Sequence, residues 1–211
     1  MSHRQGTVRS MGGEVPSVDV VVLLGGGIGA GKSSIAALFA ERGYEVIEAD
    51  LVGHEVLATD PEVLAAVINR WPAVVSDGVI DRAGLAGVVF SDPAELRHLE
   101  EITHPRIRAA IADRIASTEA SLVVVETPLT GMGVTTDITT VRVAVLADHD
   151  VRLARAVMRG GDAADVERRM RSQDDDATWR AWADHVVDNS GAWTLTERTV
   201  LTLIDGIARD A

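Results

Sequence analysis

The densest chemistry in this chain sits in ten residues. The stretch GGGIGAGKSS, residues 25–34, contains Gly26-x-x-x-x-Gly31-Lys32-Ser33. Glycines at 27, 29 and 31 let a backbone fold tightly around anionic oxygens. A helix starting at this point aims its free N–H groups and the positive end of its dipole at the same oxygens. Lys32 would then reach the outer phosphates of a nucleotide, and the Ser33 hydroxyl would take a coordination position on Mg²⁺. The pattern says that a nucleotide phosphate is held here, but not what becomes of it.

Three other groups bear on that second question. Asp50 closes YEVIEAD, which reads as a short strand, and in an open parallel sheet ligands sit beyond the carboxyl ends of the strands. A carboxylate there could accept a proton from an attacking hydroxyl or orient it during phosphoryl transfer; it could equally be the N-cap of the following helix. Glu126 ends VVVE and could hold Mg²⁺ through water, or it is an ordinary solvated residue at a strand edge. Arg152, Arg155 and Arg159 are spaced i, i+3 and i+7 on one helical face, with Arg168, Arg169 and Arg171 close behind. Guanidinium groups suit the charge spread over a transferring phosphoryl group. The alternative is a solvated helix paired with Asp148, Asp150 or Asp162. The histidines show no metal-ligand spacing, so no metal site beyond Mg²⁺ is expected.

These residues need a scaffold, and the hydrophobic pattern supplies one. VDVVVLLG, residues 18–25, is a β-branched run closed by glycines and reads as a buried strand, with a helix over 32–42 ended by Gly43. Residues 51–115 read as helical. Asp60-Pro61 is an N-cap with proline at the first helical position, Ser76-Asp77-Gly78 is a turn, and further helices follow over 82–90, 93–102 and 105–115 with no strand between them. SLVVVE (121–126), VRVAVLA (141–147) and HVVDN (185–189) restore the strand pattern. An Arg-rich helical stretch covers 151–173, and a last helix opens on a capping box, Thr194-x-x-Glu197. Alternation of this kind predicts an α/β fold, a parallel sheet covered by helices on both faces.

The totals narrow the function. At 211 residues and 46% hydrophobic content the chain can bury one substantial core. The absence of cysteine excludes disulfides, thiolate metal sites and thiol catalysis. Residues 1–17 read as a disordered leader without the apolar run of a signal peptide, and no later run could span a bilayer, so a soluble cytoplasmic protein is expected. A net charge of −12 argues against a nucleic-acid or anionic-membrane surface. A polyanionic ligand must therefore be met by locally concentrated positive groups.

Several segments taken together, in order, resemble one family. GGIGAGKSS, VIEAD, DGVIDRAGLAGVVFSDP, LEEITHPRIR, ETPL, RLARAVMR, RRMRSQ and ADHVVDNSG are similar to the phosphate loop, aspartate strand, substrate-side helices, acidic-x-Pro-Leu strand end, lid and closing segment of the dephospho-coenzyme A kinases. The resemblance runs from about residue 20 to the carboxyl terminus. It implies a three-layer P-loop nucleoside-phosphate-kinase-like fold: a core over about 18–50, 106–148 and 174–211, a helical substrate-binding subdomain over about 51–105, and an Arg-rich lid over about 149–173. The implied reaction is ATP phosphorylating the ribose 3′-hydroxyl of dephospho-coenzyme A, with Mg²⁺, in a monomer or small homo-oligomer. By the same resemblance, Asp50, Lys32 and Arg155 are catalytic. Gly27, Gly29, Ala30, Gly31, Lys32, Ser33, Ser34, Arg155 and Asn189 contact ATP. Asp50, His54, His104, Arg106 and Glu126 face the acceptor, and Ser33 and Glu126 serve the metal.

The chain departs from the family pattern where ETPLTGMG is shortened and lacks a downstream glutamate, at Trp71-Pro72 in place of Phe-Gly, and at Ser34 in place of threonine. The shortened segment leaves two other readings open: a nucleotide- or coenzyme-binding regulatory protein of the same fold, and a kinase with a different small-molecule acceptor.

Overall fold

The computed structural model describes residues 18–76, 78–128, 130–131 and 137–210. The expected leader over 1–17, Asp77 of the predicted turn, and Leu129, Met132 and Gly133 of ETPLTGMG lie outside the described residues.

The elements run β1 (Val20–Gly25), α1 (Lys32–Glu41), β2 (Glu45–Glu48), α2 (Ala49–Thr59), α3 (Pro61–Arg70), β3 (Val75–Ser76), β4 (Val79–Ile80), α4 (Arg82–Val89) and α5 (Pro93–Ser117). They continue with β5 (Leu122–Thr127), β6 (Thr139–Leu146), α6 (His149–Met158), α7 (Ala163–Arg171), α8 (Asp176–Trp182), β7 (His185–Asp188) and α9 (Trp193–Asp210). Five strands form one sheet in the order β2-β5-β1-β6-β7, every pairing parallel. Among the described residues no helix is long and apolar enough to cross a membrane.

The three layers follow from the two-residue period of a strand buried on both faces. Val21 and Leu23 of β1, with Val123 and Val125 of β5, pack under α2, α3 and α5 through Val52, Val56, Val67 and Ile111. Their neighbours Val20, Val22 and Leu24 face the other way, against Ile35 and Phe39 of α1 and Val200 and Ile204 of α9. Each such fully buried aliphatic side chain is worth about 1.5–3 kcal/mol. The core on both faces, rather than the surface ion pairs, therefore holds the sheet and the loops at its ends in place.

Several boundaries differ from the sequence reading, each for a physical reason. Asp50 does not end the second strand: β2 stops at Glu48 and Asp50 lies in the first turn of α2, so the carboxylate projects from a helix N-terminus. The helices expected over 93–102 and 105–115 are one helix, α5, with Pro105 inside it. Thr103, Ile107, Ile111 and Ile115 form one continuous buried face, and that burial outweighs the hydrogen bond the proline lacks. The expected absence of strands between the substrate-side helices is also corrected, because β3 and β4 form a short antiparallel hairpin of their own between α3 and α4.

The Arg-rich stretch is not a single helix. It breaks at Gly160, whose φ of 94° lies in the left-handed region, giving the α6–α7 hairpin, and α8 follows as an element the hydrophobic pattern did not reveal. Finally, Thr194 is not a cap. α9 begins one residue earlier, and the Ala192 carbonyl already accepts from the amides of Leu195 and Thr196.

Candidate active site

The register of the sheet brings three chain segments to one edge. Gly25 of β1 pairs with Thr127, Leu24 with Glu126, and Glu48 of β2 with Glu126, so β1, β2 and β5 end side by side. The loop after β1 turns directly into α1. Gly31 occupies the N-cap position at φ 100° with no side chain capping the helix, which leaves the first-turn amides and the dipole facing outward. A side chain at Gly31 would strike Asn189: a Cβ there would lie 2.3 Å from its Nδ2.

Around this helix start the predicted residues Lys32, Ser33 and Glu126 converge. The Ser33 hydroxyl donates to Glu126 Oε1 at 3.1 Å, and Lys32 Nζ lies 4.0 Å from the same oxygen. Both charged side chains are only 13% exposed. Burial pushes the Glu126 carboxyl above its usual range, opposed by the Lys32 charge and the Ser33 hydrogen bond. Burial likewise pulls the Lys32 ammonium below its usual range, opposed by Glu126 and then Asp50. Both shifts say that desolvation outweighs the mutual attraction, as a 4.0 Å pair without direct hydrogen bonding should. Glu126 Oε2 is buried without a hydrogen-bond partner among the described residues.

Asp50 sits across from this group. Lys32, Glu48, Asp50, Glu126 and Pro128 line a cavity of about 20 Å³. That is room for one water-sized group, the size of an acceptor's hydroxyl end. The N-cap alternative for Asp50 is not realised, since the cap position belongs to Glu48 and Asp50 makes no capping bond. A larger cavity, about 370 Å³, is lined by Val20, Thr139, Val141, His185 and Leu203 at the opposite, amino-terminal end of the strands. The small polar cleft is the site, because it holds the converging charged groups at the carboxyl ends.

The remaining predicted residues separate. Arg155 of α6 stands above the loop, its Nη1 3.9 Å from where a Gly31 Cβ would be and buried without a partner among the described residues. Asn189, 2% exposed at the end of β7, donates from Nδ2 to the Ala30 carbonyl at 2.8 Å, so it braces the loop from behind. Ser34 is exposed in the first turn of α1, and His54 is exposed one helical turn beyond Asp50 on α2. His104 is half-buried on α5, and burial lowers its pKa, with Glu100 opposing. Arg106 is engaged elsewhere: its Nε donates to Asp60 Oδ2 at 2.6 Å and its Nη1 to Glu62 at 3.5 Å, bracing the α3 cap that Asp60 forms.

Its neighbour Arg108 was missed. Arg108 Nη2 donates to the Gly131 carbonyl at 3.4 Å, and its Nε is buried without a partner among the described residues. The signal was available: on a helix Arg108 shares a face with His104 at i+4, whereas Arg106 at i+2 points away. Arg152, the first of the three arginines on the predicted helical face, and Gln173, the last residue of RRMRSQ, both bond the backbone of Ile28, a contact that no local spacing indicates. Among the described residues no group of three or more acidic, histidine or cysteine side chains could hold a metal, so a cation here would rest on Ser33 and Glu126 with other ligands from solvent and nucleotide.

Comparison with known proteins places these residues in context. The family profile described as dephospho-CoA kinase matches residues 20–194. The dephospho-CoA kinase of Deinococcus radiodurans is 41% identical over 172 residues, covering 80% of this chain and 83% of that protein. That of Mycolicibacterium paratuberculosis is 39% identical over 173 residues, covering 80% of this chain but 42% of the relative, so the chain matches less than half of that protein's length. The crystal structure of TT1252 from Thermus thermophilus is similar with a TM-score of 0.76 at 30% identity, over 90% of this chain and 98% of that one.

Proposed function

The chain belongs to the dephospho-CoA kinase family, and from that premise we propose that it transfers the γ-phosphoryl group of ATP to the ribose 3′-hydroxyl of dephospho-coenzyme A, with Asp50, Lys32 and Arg155 as the groups that act on the transfer. The observation that carries the assignment is the shared cleft. Asp50 from α2, Lys32 from α1 and Glu126 from β5 line one water-sized space at the carboxyl ends of the strands. Donor and acceptor would meet there in line.

Phosphoryl transfer asks little covalent chemistry of the protein and much positioning. The open amides at the start of α1 receive the β-phosphate oxygens, and Lys32 draws close to the outer phosphates. The burial that depresses its pKa is offset once that negative charge arrives. Asp50, exposed and without a hydrogen bond or ion pair among the described residues, accepts or orients the acceptor's proton as its oxygen attacks phosphorus. Arg155, with a buried N–H unspent, faces the charge that spreads over the equatorial oxygens.

Ser33 and Glu126 fit Mg²⁺: two hard oxygen donors already 3.1 Å apart, one carboxylate oxygen buried and unsatisfied, and a raised carboxyl pKa that a cation would reverse. When bound, the ion would neutralise charge between the outer phosphates. On the acceptor side we include His104 and Arg108 and exclude Arg106, whose guanidinium is spent on Asp60. The reading as a binder without transfer is not favoured, since the named relatives are kinases and this chain keeps Lys32, Asp50 and Arg155 together.

Purified protein with Mg²⁺, ATP and dephospho-coenzyme A is expected to form product phosphorylated on the 3′-hydroxyl. Asp50→Asn should lower kcat by about 100-fold or more, the range of a lost general base. Absence of product with the native chain would overturn the assignment; undiminished product in the variant would remove Asp50 from its role.

A further inference from the structure

One residue of the phosphate loop is held by the lid rather than by the core. The amide of Ile28 donates to Gln173 Oε1 at 2.8 Å, and the Ile28 carbonyl accepts from Arg152 Nε at 2.9 Å. The two side chains are themselves joined, Arg152 Nη2 to Gln173 Oε1 at 3.3 Å. The side chain of Ile28 completes the grip. It packs, with Leu153, against Ala156, Val166 and Met170, the small apolar cluster that joins α6 to α7. Both backbone groups and the side chain of a single loop residue are therefore committed to the α6–α7 hairpin and its exit.

The glycines on either side show how close this contact is. A Cβ at Gly27 would lie 2.1 Å from Arg152 Nη2, and one at Gly29 would lie 2.2 Å from the Arg152 carbonyl. The loop is thus glycine-rich on two accounts, its phosphate face and its lid face. Arg152 has no carboxylate hydrogen bond among the described residues; Asp176 acts on it through charge alone, and its hydrogen bonds go to the loop and Gln173. One helical turn along, on the same face of α6, stands Arg155 with its unspent N–H.

We propose that Ile28 is the latch that sets the register of the lid on the phosphate loop, and that Gln173 and Arg152 are positioning residues that act through Arg155. Because the latch fixes α6 at Arg152, it fixes where the Arg155 guanidinium lies above Gly31. A misplacement of about 1 Å in a group facing the transferring phosphoryl can cost roughly 100-fold in rate, so a tether three residues away has catalytic leverage without touching substrate. This rests on the kinase reading for its rate effects, but its structural half does not.

The test uses Gln173→Met, which keeps the side-chain length and removes the acceptor. In the ligand-free protein, amide hydrogen exchange at Ile28 should accelerate about fivefold, the order of one lost hydrogen bond. With substrates, kcat should fall on the order of tenfold while KM for dephospho-coenzyme A stays put. The same substitution made in an Arg155→Ala background should then have almost no further effect on kcat. Gln173→Glu restores an oxygen acceptor, so it should recover the Ile28 protection and most of kcat, while its charge raises KM for ATP.

Unchanged exchange at Ile28 in Gln173→Met would overturn the latch. A kcat loss of the same size with and without Arg155 would overturn the action through Arg155. If the native chain gives no 3′-phosphorylated product, the acceptor assignment fails, and the exchange measurement still decides the latch.

Discussion

The proposed donor and acceptor sides of the cleft are built on opposite plans. On the donor side the loop is gripped before any ligand arrives: Ile28 by Gln173 and Arg152, Ala30 by Asn189, and Ser33 by Glu126. On the acceptor side the polar groups are less committed, Arg108 spending only Nη2, on the Gly131 carbonyl. Asp50 and His54 are exposed on α2, and Arg108 keeps a buried Nε without a partner among the described residues. A phosphate cradle works through backbone amides that must already point at the oxygens, so its geometry is fixed by neighbours. Groups that receive a second, separately arriving molecule are left unpaired, because pairing them would have to be undone at each turnover.

The comparison can be broken most sharply at Arg155, the donor-side group whose buried Nη1 has no partner among the described residues. Arg155→Ala is expected to lower kcat on the order of 10³-fold, as loss of a charge-stabilising arginine does, with little change in Tm. A large drop in Tm with a small change in kcat would instead make it part of the scaffold. Next in size comes the acceptor side, through Arg108 of α5. Arg108→Ala should raise KM for dephospho-coenzyme A about tenfold, the lower range for a lost charged hydrogen bond, and leave KM for ATP alone. Equal effects on both substrates would erase the distinction between the two sides.

A smaller effect comes from Glu126. Its carboxyl is raised by burial first, with Lys32 and Ser33 opposing, so the proton must leave at a pH above the ordinary carboxylate range before the site can take a cation. The kcat/KM for ATP should therefore fall as the pH drops through that raised value, and Glu126→Gln should flatten this acid limb at a lower overall rate. A limb unchanged in the variant would assign it to another group. Least affected should be Arg106→Ala. Its guanidinium is 41% exposed and its contacts are with Asp60 and Glu62 rather than the cleft, so Tm should dip slightly and both KM values hold.

How much of this was legible beforehand depended on the reach of the signal. The phosphate loop, the run that became β1, and the Asp60-Pro61 start of α3 are patterns within a few residues, and the folded chain shows all three. Boundaries failed where distant burial outvoted a local rule, as at Pro105 inside α5, or where the chain entered a helix early, as at Asp50 and Trp193. The choice between Arg106 and Arg108 was readable from helical period but only once α5 was known to be continuous.

The sequence by itself determined that a glycine turn opening on a helix would lie at Gly26–Ser33 and that a two-faced parallel sheet would carry it. Both follow from backbone freedom and from residue periodicity, which act along the chain. Tertiary structure alone decided that Glu126 is the carboxylate that meets Ser33 and that Arg152 is the arginine spent on Ile28, with Arg155 Nη1 buried above the loop without a partner among the described residues. Those choices depend on side chains brought together from segments about a hundred residues apart, by burial that no local spacing records.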